Sequence, residues 1–256
     1  MKSLRVIILG TGTSHGVPMI GCDCQVCTSA DPRDKRTRPS IVVQLNDTSI
    51  LIDTTPELRI QCLACNVTRV DAVLYTHHHA DHVTGLDDLR RFNYLKKSSL
   101  TCYADAPTAG EIRRMFAYAF EHLPDYPSSK PQLELATIES PFTVEGIPVV
   151  PIPLFHGEMP ILGFRIGSFA YCTDCSRIPE SSFTLLDGVE VLILDALRRR
   201  PHATHFNLEQ AVEAARRVGA RETYFTHIAH DLAHEPTNAE LPRGMALGYD
   251  GQIIEL

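Results

Sequence analysis

The sequence predicts an α/β fold, a sandwich with β-sheets inside and helices outside. Short runs rich in Val, Ile and Leu alternate with stretches of helical periodicity along the 256 residues. The alternation occurs twice, in a mostly β half and then in a second half of similar make-up. No low-complexity linker separates the halves, so one domain is expected over residues 1–256.

The first expected core strand is Leu4–Leu9. With Met1-Lys2-Ser3 before it, the segment resembles a signal peptide only superficially. Its apolar run is short and passes into Gly10-Thr11-Gly12 without a cleavage pattern. Further strands are expected at Ile41–Leu45, Ser49–Asp53, Ala72–Tyr75, Leu100–Tyr103, Pro148–Pro153, Gly163–Ile166, Phe169–Thr173, Val189–Asp195 and Thr223–Thr226. Helices are expected at Pro56–Ala64, Leu86–Tyr94, Ala106–Tyr118, Pro179–Leu186 and Asn207–Val218. Asn207 suits an N-cap, with Gln210 three residues on as a partial capping box, and Gly219 closes that helix. Leu123–Pro131 is a Pro-rich loop that either flanks an active-site mouth or is ordinary surface.

Apolar residues make up 44% and charged residues 21%, as in an ordinary globular protein. The net charge of −7 argues against a general nucleic-acid surface, and so against long nucleic acid as substrate. No apolar run reaches the roughly 18–20 residues of a membrane span, so no membrane partner is expected and the expected address is the cytoplasm. A homodimer is the reasonable prior for the oligomeric state. In a cytosolic chain of this size, eight cysteines favour metal or free thiols over a disulfide framework.

Thr76-His77-His78-His79-Ala80-Asp81-His82 packs four histidines and a carboxylate into seven residues, directly after a strand-like apolar run. Imidazole and carboxylate suit zinc, manganese or iron. His77 and His79 could hold one metal while Asp81 and His82 reach a second. Two metals need more ligands, and three residues have the right context. His156, Asp174 and His227 each follow an apolar strand-like run, where a rigid scaffold presents side chains to a site.

The H-x-H-x-D-H stretch, a later isolated His, a strand-end Asp and a final Thr-His together resemble the metallo-β-lactamase superfamily. That resemblance implies an αββα sandwich with two central mixed sheets flanked by helices and the site at one sheet edge. It implies that one metal takes His77, His79 and His156, that the other takes Asp81, His82 and His227, and that Asp174 bridges them. The diiron oxygen-reducing branch typically has Glu where this chain has His79, so the hydrolase reading is preferred.

Gly10-Thr11-Gly12-Thr13-Ser14-His15-Gly16-Val17-Pro18, with Cys22-x-Cys24-x-x-Cys27 after it, resembles the phosphodiesterases of the carbon–phosphorus lyase pathway. In that group a C-x-C-x-x-C cluster and a later histidine hold a structural zinc. The resemblance places the fourth ligand at His230. Cys₃His is a closed tetrahedral set that leaves no position for substrate. Such a zinc would contribute to folding as well as to geometry.

A two-metal site suits in-line displacement at phosphorus, with a hydroxide held between the metals as nucleophile and Asp81 orienting it. His205, just before the last expected helix, is the candidate general acid for the leaving oxygen, by resemblance to these phosphodiesterases and the tRNA 3′-processing enzymes. Its bland alternative is a helix-entry hydrogen bond. His202 is a weaker second choice. Asp53 is expected to orient a metal-bound histidine, or else to cap Thr54 and Thr55. Asp195 carries the same ambiguity. His78 is expected to face outward or to support the ligands. Cys62, Cys65, Cys102, Cys172 and Cys175 are expected to be packing residues. Arg198-Arg199-Arg200 either attracts a phosphate or forms a solvated loop.

The expected function is a metal-dependent phosphodiesterase acting on a small nucleotide or sugar phosphodiester, cyclic ones included. Its expected cofactors are two divalent metals, Zn²⁺ or Mn²⁺, and one structural Zn²⁺. The rivals are a thioesterase or lactonase on the same metals, a tRNA 3′-end nuclease, and a nucleotide-binding metal module without turnover.

Overall fold

The computed structural model describes residues 4–120 and 129–256, and the Leu123–Pro131 loop falls mostly outside the described residues. The chain builds two seven-stranded sheets, flanked by helices on their outer faces. The first contains β1 (Arg5–Gly10), β2 (Ser40–Leu45), β3 (Thr48–Ile52), β4 (Ala72–Leu74), β5 (Leu100–Ala104), β6 (Leu133–Thr137) and the late strand β14 (Ile253–Glu255). The second contains β7 (Phe142–Val144), β8 (Ile147–His156), β9 (Met159–Ile166), β10 (Phe169–Cys172), β11 (Val191–Asp195), β12 (Glu222–Thr226) and β13 (Met245–Leu247). Their orders are β14-β1-β2-β3-β4-β5-β6 and β13-β12-β11-β10-β9-β8-β7. Both sheets are mixed: β3 to β6 and β10 to β13 run parallel, and the remaining pairs antiparallel.

The continuous apolar runs in the central strands follow from burial on both faces. Ile41, Val43, Ile50, Ile52 and Leu74 point into the core between the sheets, where Tyr171, Val191 and Ile193 meet them. Val42, Leu51 and Val73 point the other way, under α1 (Leu58–Ala64), α3 (Leu89–Lys96) and α4 (Ala106–Met115). Leu192 and Leu194 do the same on the second sheet, under α6 (Glu180–Leu185) and α7 (Leu208–Val218). A one-residue register slip would exchange these faces, so packing fixes the register and with it the strand ends that carry the site.

The expected helix ends hold at α7. The Asn207 side chain accepts from Gln210 N, the reciprocal capping-box bond is present, and Gly219 takes the left-handed conformation with φ 73°. Other boundaries move. The helix expected at Leu86–Tyr94 is a 3₁₀ turn over Thr84–Asp88 followed by α3. That expected at Ala106–Tyr118 breaks at Phe116 into α4 and α5 (Ala117–Phe120). The strand expected at Pro148–Pro153 runs on through His156 despite its prolines. Phe155 N bonds Arg177 O, away from β9, so Pro151 and Pro153, of the same parity, also turn their missing N–H away from β9. Among the described residues, no helix is long and apolar enough to cross a membrane.

Candidate metal centre

The site forms where the C-terminal ends of parallel strands from both sheets meet, the usual position for ligands in α/β folds. Leu162 N of β9 bonds Thr76 O after β4, and Ile228 N after β12 bonds Thr11 O, which lace the sheets together at this edge. The sequence-selected residues arrive from five places. Asp53 follows β3. His77 and His79 lie in the loop after β4, and Asp81 and His82 on the short α2 (Ala80–Val83). His156 ends β8, and the two-residue Gly157-Glu158 turn, with Gly157 at φ 63°, pairs it with Met159. Asp174 lies two residues past β10, and His227 directly after β12.

Asp81, His82, Asp174 and His227 bring one ligand atom each within 4.8 Å of one another. The Asp174 carboxylate is central: Oδ1 lies 3.3 Å from His82 Nε2, and Oδ2 lies 3.2 Å from His227 Nε2 and 3.8 Å from His77 Nε2. His77, His79 and His156 pack ring to ring, with centroids 4.6, 4.9 and 5.7 Å apart. His156, Asp174 and His205 also meet within 4.8 Å, so His205 stands against this group.

Hydrogen bonds fix which nitrogen each ring presents. His82 Nδ1 lies 2.7 Å from Asp53 Oδ2, which also accepts from Thr76 Oγ1 at 2.8 Å, while Asp53 Oδ1 accepts from Thr76 N at 2.9 Å. Thr76 Oγ1 in turn takes the His77 Nδ1 proton at 3.0 Å. One buried carboxylate therefore assigns two tautomers, leaving Nε2 of His77 and of His82 as free lone pairs. His156 Nδ1 donates to the Asp174 carbonyl at 2.8 Å, which frees its Nε2 in the same way. Asp53 does not cap Thr54 or Thr55 through its side chain; the Thr54 hydroxyl bonds Tyr75 and Val83 instead. Gly85 lets the turn after α2 sit against β3, because a Cβ there would meet Thr55 O at 1.9 Å.

Strain collects here too. Asp53, Asp174 and His227 hold φ of 65°, 56° and 58°, the left-handed region that costs a residue with a Cβ about 1 kcal/mol or more.

Burial opposes charge on these groups, and for His82 and Asp174 the opposite charges that face them oppose burial. Burial works against charge on His82, yet the Asp174, Asp81 and Asp53 carboxylates outweigh it and raise the imidazole well above its ordinary range. Burial likewise opposes the Asp174 carboxylate, but His227 and His82 pull it well below the ordinary carboxylate range. His77 is pushed down, by burial first and then by the His82 charge. The buried carboxylates thus favour positive charge here, which a divalent cation would supply. Nε2 of His77, His82 and His227 is buried without a hydrogen-bond partner, so a cation also removes an unfavourable burial of polar atoms. The donor set fits divalent metal.

Beside this site stands a second pair. His205 Nδ1 lies 3.3 Å from Asp195 Oδ1, Phe206 N donates to Asp195 Oδ2 at 3.0 Å, and His227 Nδ1 lies 3.6 Å from Asp195 Oδ1. Asp195 thus faces both His205 and His227, a role the sequence leaves open. The His205 ring stacks on His227 at 4.5 Å. Burial lowers the His205 imidazole, with Asp174 and Asp81 pulling upward. His205 also lines a cleft of about 300 Å³, with the Thr13–Gly16 turn on one wall and Arg198, Arg200 and His202 on another. His78 is half-buried with its ring 5.9 Å from His79.

The cysteine cluster forms a third group. Sγ of Cys22, Cys24 and Cys27 lie 3.2, 3.4 and 3.6 Å from the single nitrogen His230 Nδ1. Cys27 N donates to Cys24 Sγ and Met19 N to Cys27 Sγ. The first of these bonds leads the causes that lower the Cys24 thiol to about 6, whereas burial raises Cys27 to about 11. Such a set fits a closed zinc site. Cys62, Cys102, Cys172 and Cys175 are buried in the cores with thiols raised by burial, as packing residues would be.

The sequence profile of the beta-lactamase superfamily domain matches residues 48–228. The chain belongs to the metallo-β-lactamase superfamily. Within the superfamily, it is similar to a crystal structure described as a new diphosphatase from the PhnP family, with 43% identity, a TM-score of 0.93 and coverage of 100% of this chain and 98% of that one. It is 39% identical over 257 residues to a Porphyromonas gingivalis protein named octanoyltransferase, covering 97% of this chain. The chain spans 51% of that protein's length. Human tRNase Z, short form, shares the superfamily fold at 19% identity and a TM-score of 0.70, covering 98% of each chain.

The sequence reading passed over Thr76 and Thr173, whose hydroxyls donate to Asp53 and Asp174. Their one sequence signal is position, each directly before a candidate ligand.

Proposed function

We propose that this chain is a metal-dependent phosphodiesterase acting on a small substrate. The observation that carries the reading is the convergence of seven His and Asp side chains, three with orphaned buried Nε2 atoms, beside a cleft with His205 in its wall. In this reading His77, His79 and His156 would hold one divalent metal, Asp81, His82 and His227 would hold the other, and Asp174 would serve both. When bound, such metals supply a nucleophile at neutral pH and offset the charge that develops on phosphorus.

The protein's own groups do the rest. Asp53 and Thr76 hold the rings of His77 and His82 in the tautomer a metal needs. Asp81 accepts a hydrogen bond from the attacking water and aligns it. The leaving alkoxide needs a proton, and in this reading His205 would give it from Nε2. Asp195, at Nδ1, stabilises the imidazolium that precedes that donation. The likeness to a diphosphatase supports attack at phosphorus. The test is hydrolysis of bis(p-nitrophenyl) phosphate and of 2′,3′- and 1,2-cyclic phosphates by protein loaded with Zn²⁺ or Mn²⁺. No turnover of any of them overturns the proposal, and nucleotide binding without turnover supports a binding module instead.

A thioesterase is the second reading, favoured by the octanoyltransferase likeness. Hydrolysis of an octanoyl thioester faster than any phosphodiester, unaffected by His205→Ala, would select it.

A further inference from the structure

We infer that Asp250 is a positioning residue for the metal centre. Its carboxylate braces His82 and His227, the two imidazoles assigned to one metal, without bonding either. This role rests on the proposed assignment of Asp81, His82 and His227 to that metal.

His82 and His227 come from different sheets. His82 lies on α2, after β4 of the first sheet, and His227 follows β12 of the second. Their rings stack with centroids 6.3 Å apart and planes 17° apart. Their Nε2 atoms face the two oxygens of Asp174. Neither sheet alone fixes that spacing, so a group that reaches both is needed. Asp250 lies in the turn where the chain crosses from β13 in the second sheet to β14 in the first. The turn is bonded to both sheets. Gly248 N donates to Phe225 O of β12, and Gly251 N donates to Ile8 O of β1, each at 2.8 Å.

Four donors meet the Asp250 carboxylate. Oδ1 accepts from Thr11 N at 2.9 Å and Thr11 Oγ1 at 2.8 Å. Oδ2 accepts from Thr37 N and Thr37 Oγ1, each at 2.7 Å. Each oxygen opens one arm. On the first, Thr11 O accepts from Ile228 N at 2.8 Å, and Thr13 N donates to Ile228 O at 3.1 Å. These bonds clamp the residue directly after His227, whose φ of 58° stores strain that the clamp opposes. On the second arm, Gln61 Nε2 donates to Thr37 Oγ1 at 2.8 Å, and Thr55 Oγ1 donates to Gln61 Oε1 at 2.8 Å. Thr54, next in the chain, donates its N–H to His82 O at 2.7 Å. Gly10 opens the way for this arm, because a Cβ there would meet Gln61 Nε2 at 2.5 Å and Thr37 Oγ1 at 2.7 Å. Thr11, Gln61 and Thr55 are buried, so a broken bond in either arm leaves a desolvated polar group.

The protons of both arms point toward Asp250. Thr55 donates to Gln61, Gln61 to Thr37, and Thr37 to Asp250. Thr11 Oγ1 accepts from Arg36 Nη1 at 3.3 Å and donates to Asp250. A carboxylate accepts on both oxygens. Asparagine has the same shape but turns one oxygen into a donor that faces a backbone N–H, which cannot reverse. One arm then opens without a change in side-chain size.

The test is chelator competition on the full chain loaded with Zn²⁺ or Co²⁺, well below its melting temperature. With Co²⁺, the thiolate charge-transfer band reads the cysteine site apart from the His and Asp ions. Asp250→Asn is expected to weaken one of the two His and Asp ions about tenfold, at the low end for groups that orient metal ligands. The other ion and the cysteine site keep their affinity. Asp71→Asn is the control. It disturbs the bonds from Ser49 N and Arg69 at the opposite end of β4, and is expected to leave all three ions unchanged. Unchanged affinities in Asp250→Asn, an equal loss in Asp71→Asn, or a loss shared by the cysteine site overturns the role. If Asp250→Asn yields no folded chain, Thr37→Val decides. It keeps the N–H and the shape but cuts the second arm, so a weakened ion supports the role and unchanged affinities overturn it. If the unaltered chain binds fewer than two His and Asp ions, the metal assignment and this role fall together. If it binds two but hydrolyses no phosphodiester, the proposed function alone fails, and the affinities still decide the role of Asp250.

Discussion

Asp53→Asn separates a role in holding metal from a role in holding the fold. Asp53 is fully buried, and its Oδ2 receives the His82 Nδ1 proton at 2.7 Å. Asparagine keeps the shape and tolerates the left-handed φ of 65°. Its Oδ1 still accepts from Thr76 N, and its amide can donate to Thr76 Oγ1. Facing His82, however, the amide offers a donor where the ring also offers one. The ring then does best by moving its proton to Nε2, the atom that points at Asp174 and the proposed metal. The lost bond involves a charged group, about 1.5–3 kcal/mol, and corrections of this kind weaken metal affinity about 10–100-fold. Without metal the sign reverses, because burial raises the Asp53 carboxyl and holding it charged costs stability. The apo variant is therefore expected to melt within a few degrees of the apo parent or above it. Chelator competition for zinc, beside thermal melts of apo and loaded protein, reads both quantities. Unchanged metal affinity with a large loss of apo stability would refute the reasoning and make Asp53 a structural cap.

Three further outcomes are expected. His205→Ala should lower hydrolysis of a cyclic phosphodiester, whose leaving alkoxide needs a proton, by about 10²–10⁴-fold, but that of bis(p-nitrophenyl) phosphate by less than about tenfold. Cys24→Ser should remove one zinc per chain and lower folding yield while activity per folded, loaded molecule is kept, as metal analysis and refolding yield will read. His234→Gln tests a pH term. Burial, with the Arg36 and Arg33 charges, lowers His234 to about 4. The unfolded chain binds that proton near the ordinary value of about 6.5, so the stability is fully present above 6.5 and is lost as pH falls toward 4. After discounting for solvent screening, the loss is about 1–2 kcal/mol. The variant should show a shallower fall in melting temperature from pH 7 to 4.5, and parallel curves would count against it.

Much of the site was legible because its chemistry is dense in the chain. Asp81 and His82 share one turn of α2, and His77 and His79 lie directly before it, so the motif carries its own geometry. The capping box of α7 was legible for the same reason, since Asn207 and Gln210 meet within one turn. Strands buried on both faces announced themselves as unbroken Val, Ile and Leu runs. Strands such as β6 and β14 did not, because Leu133–Thr137 is only half-buried and Ile253–Glu255 is three residues long, with Ile254 alone buried. The helix expected at Leu86–Tyr94 opens instead on a 3₁₀ turn, because Gly85 and its contact with Thr55 favour that geometry.

By itself the sequence determined which residue types were available to hold metal, since ligand identity is a local chemical property. It also determined the two-sided burial that makes a layered α/β sandwich, because apolar patterning is local too. Only the tertiary structure decided that Asp53 orients His82 from 29 positions away, and that Asp195 faces both His205 and His227. It alone separated Arg198 and Arg200 from Arg199. Those assignments depend on where strand ends from two sheets meet and which way each loop side chain turns, and packing of the whole chain fixes both.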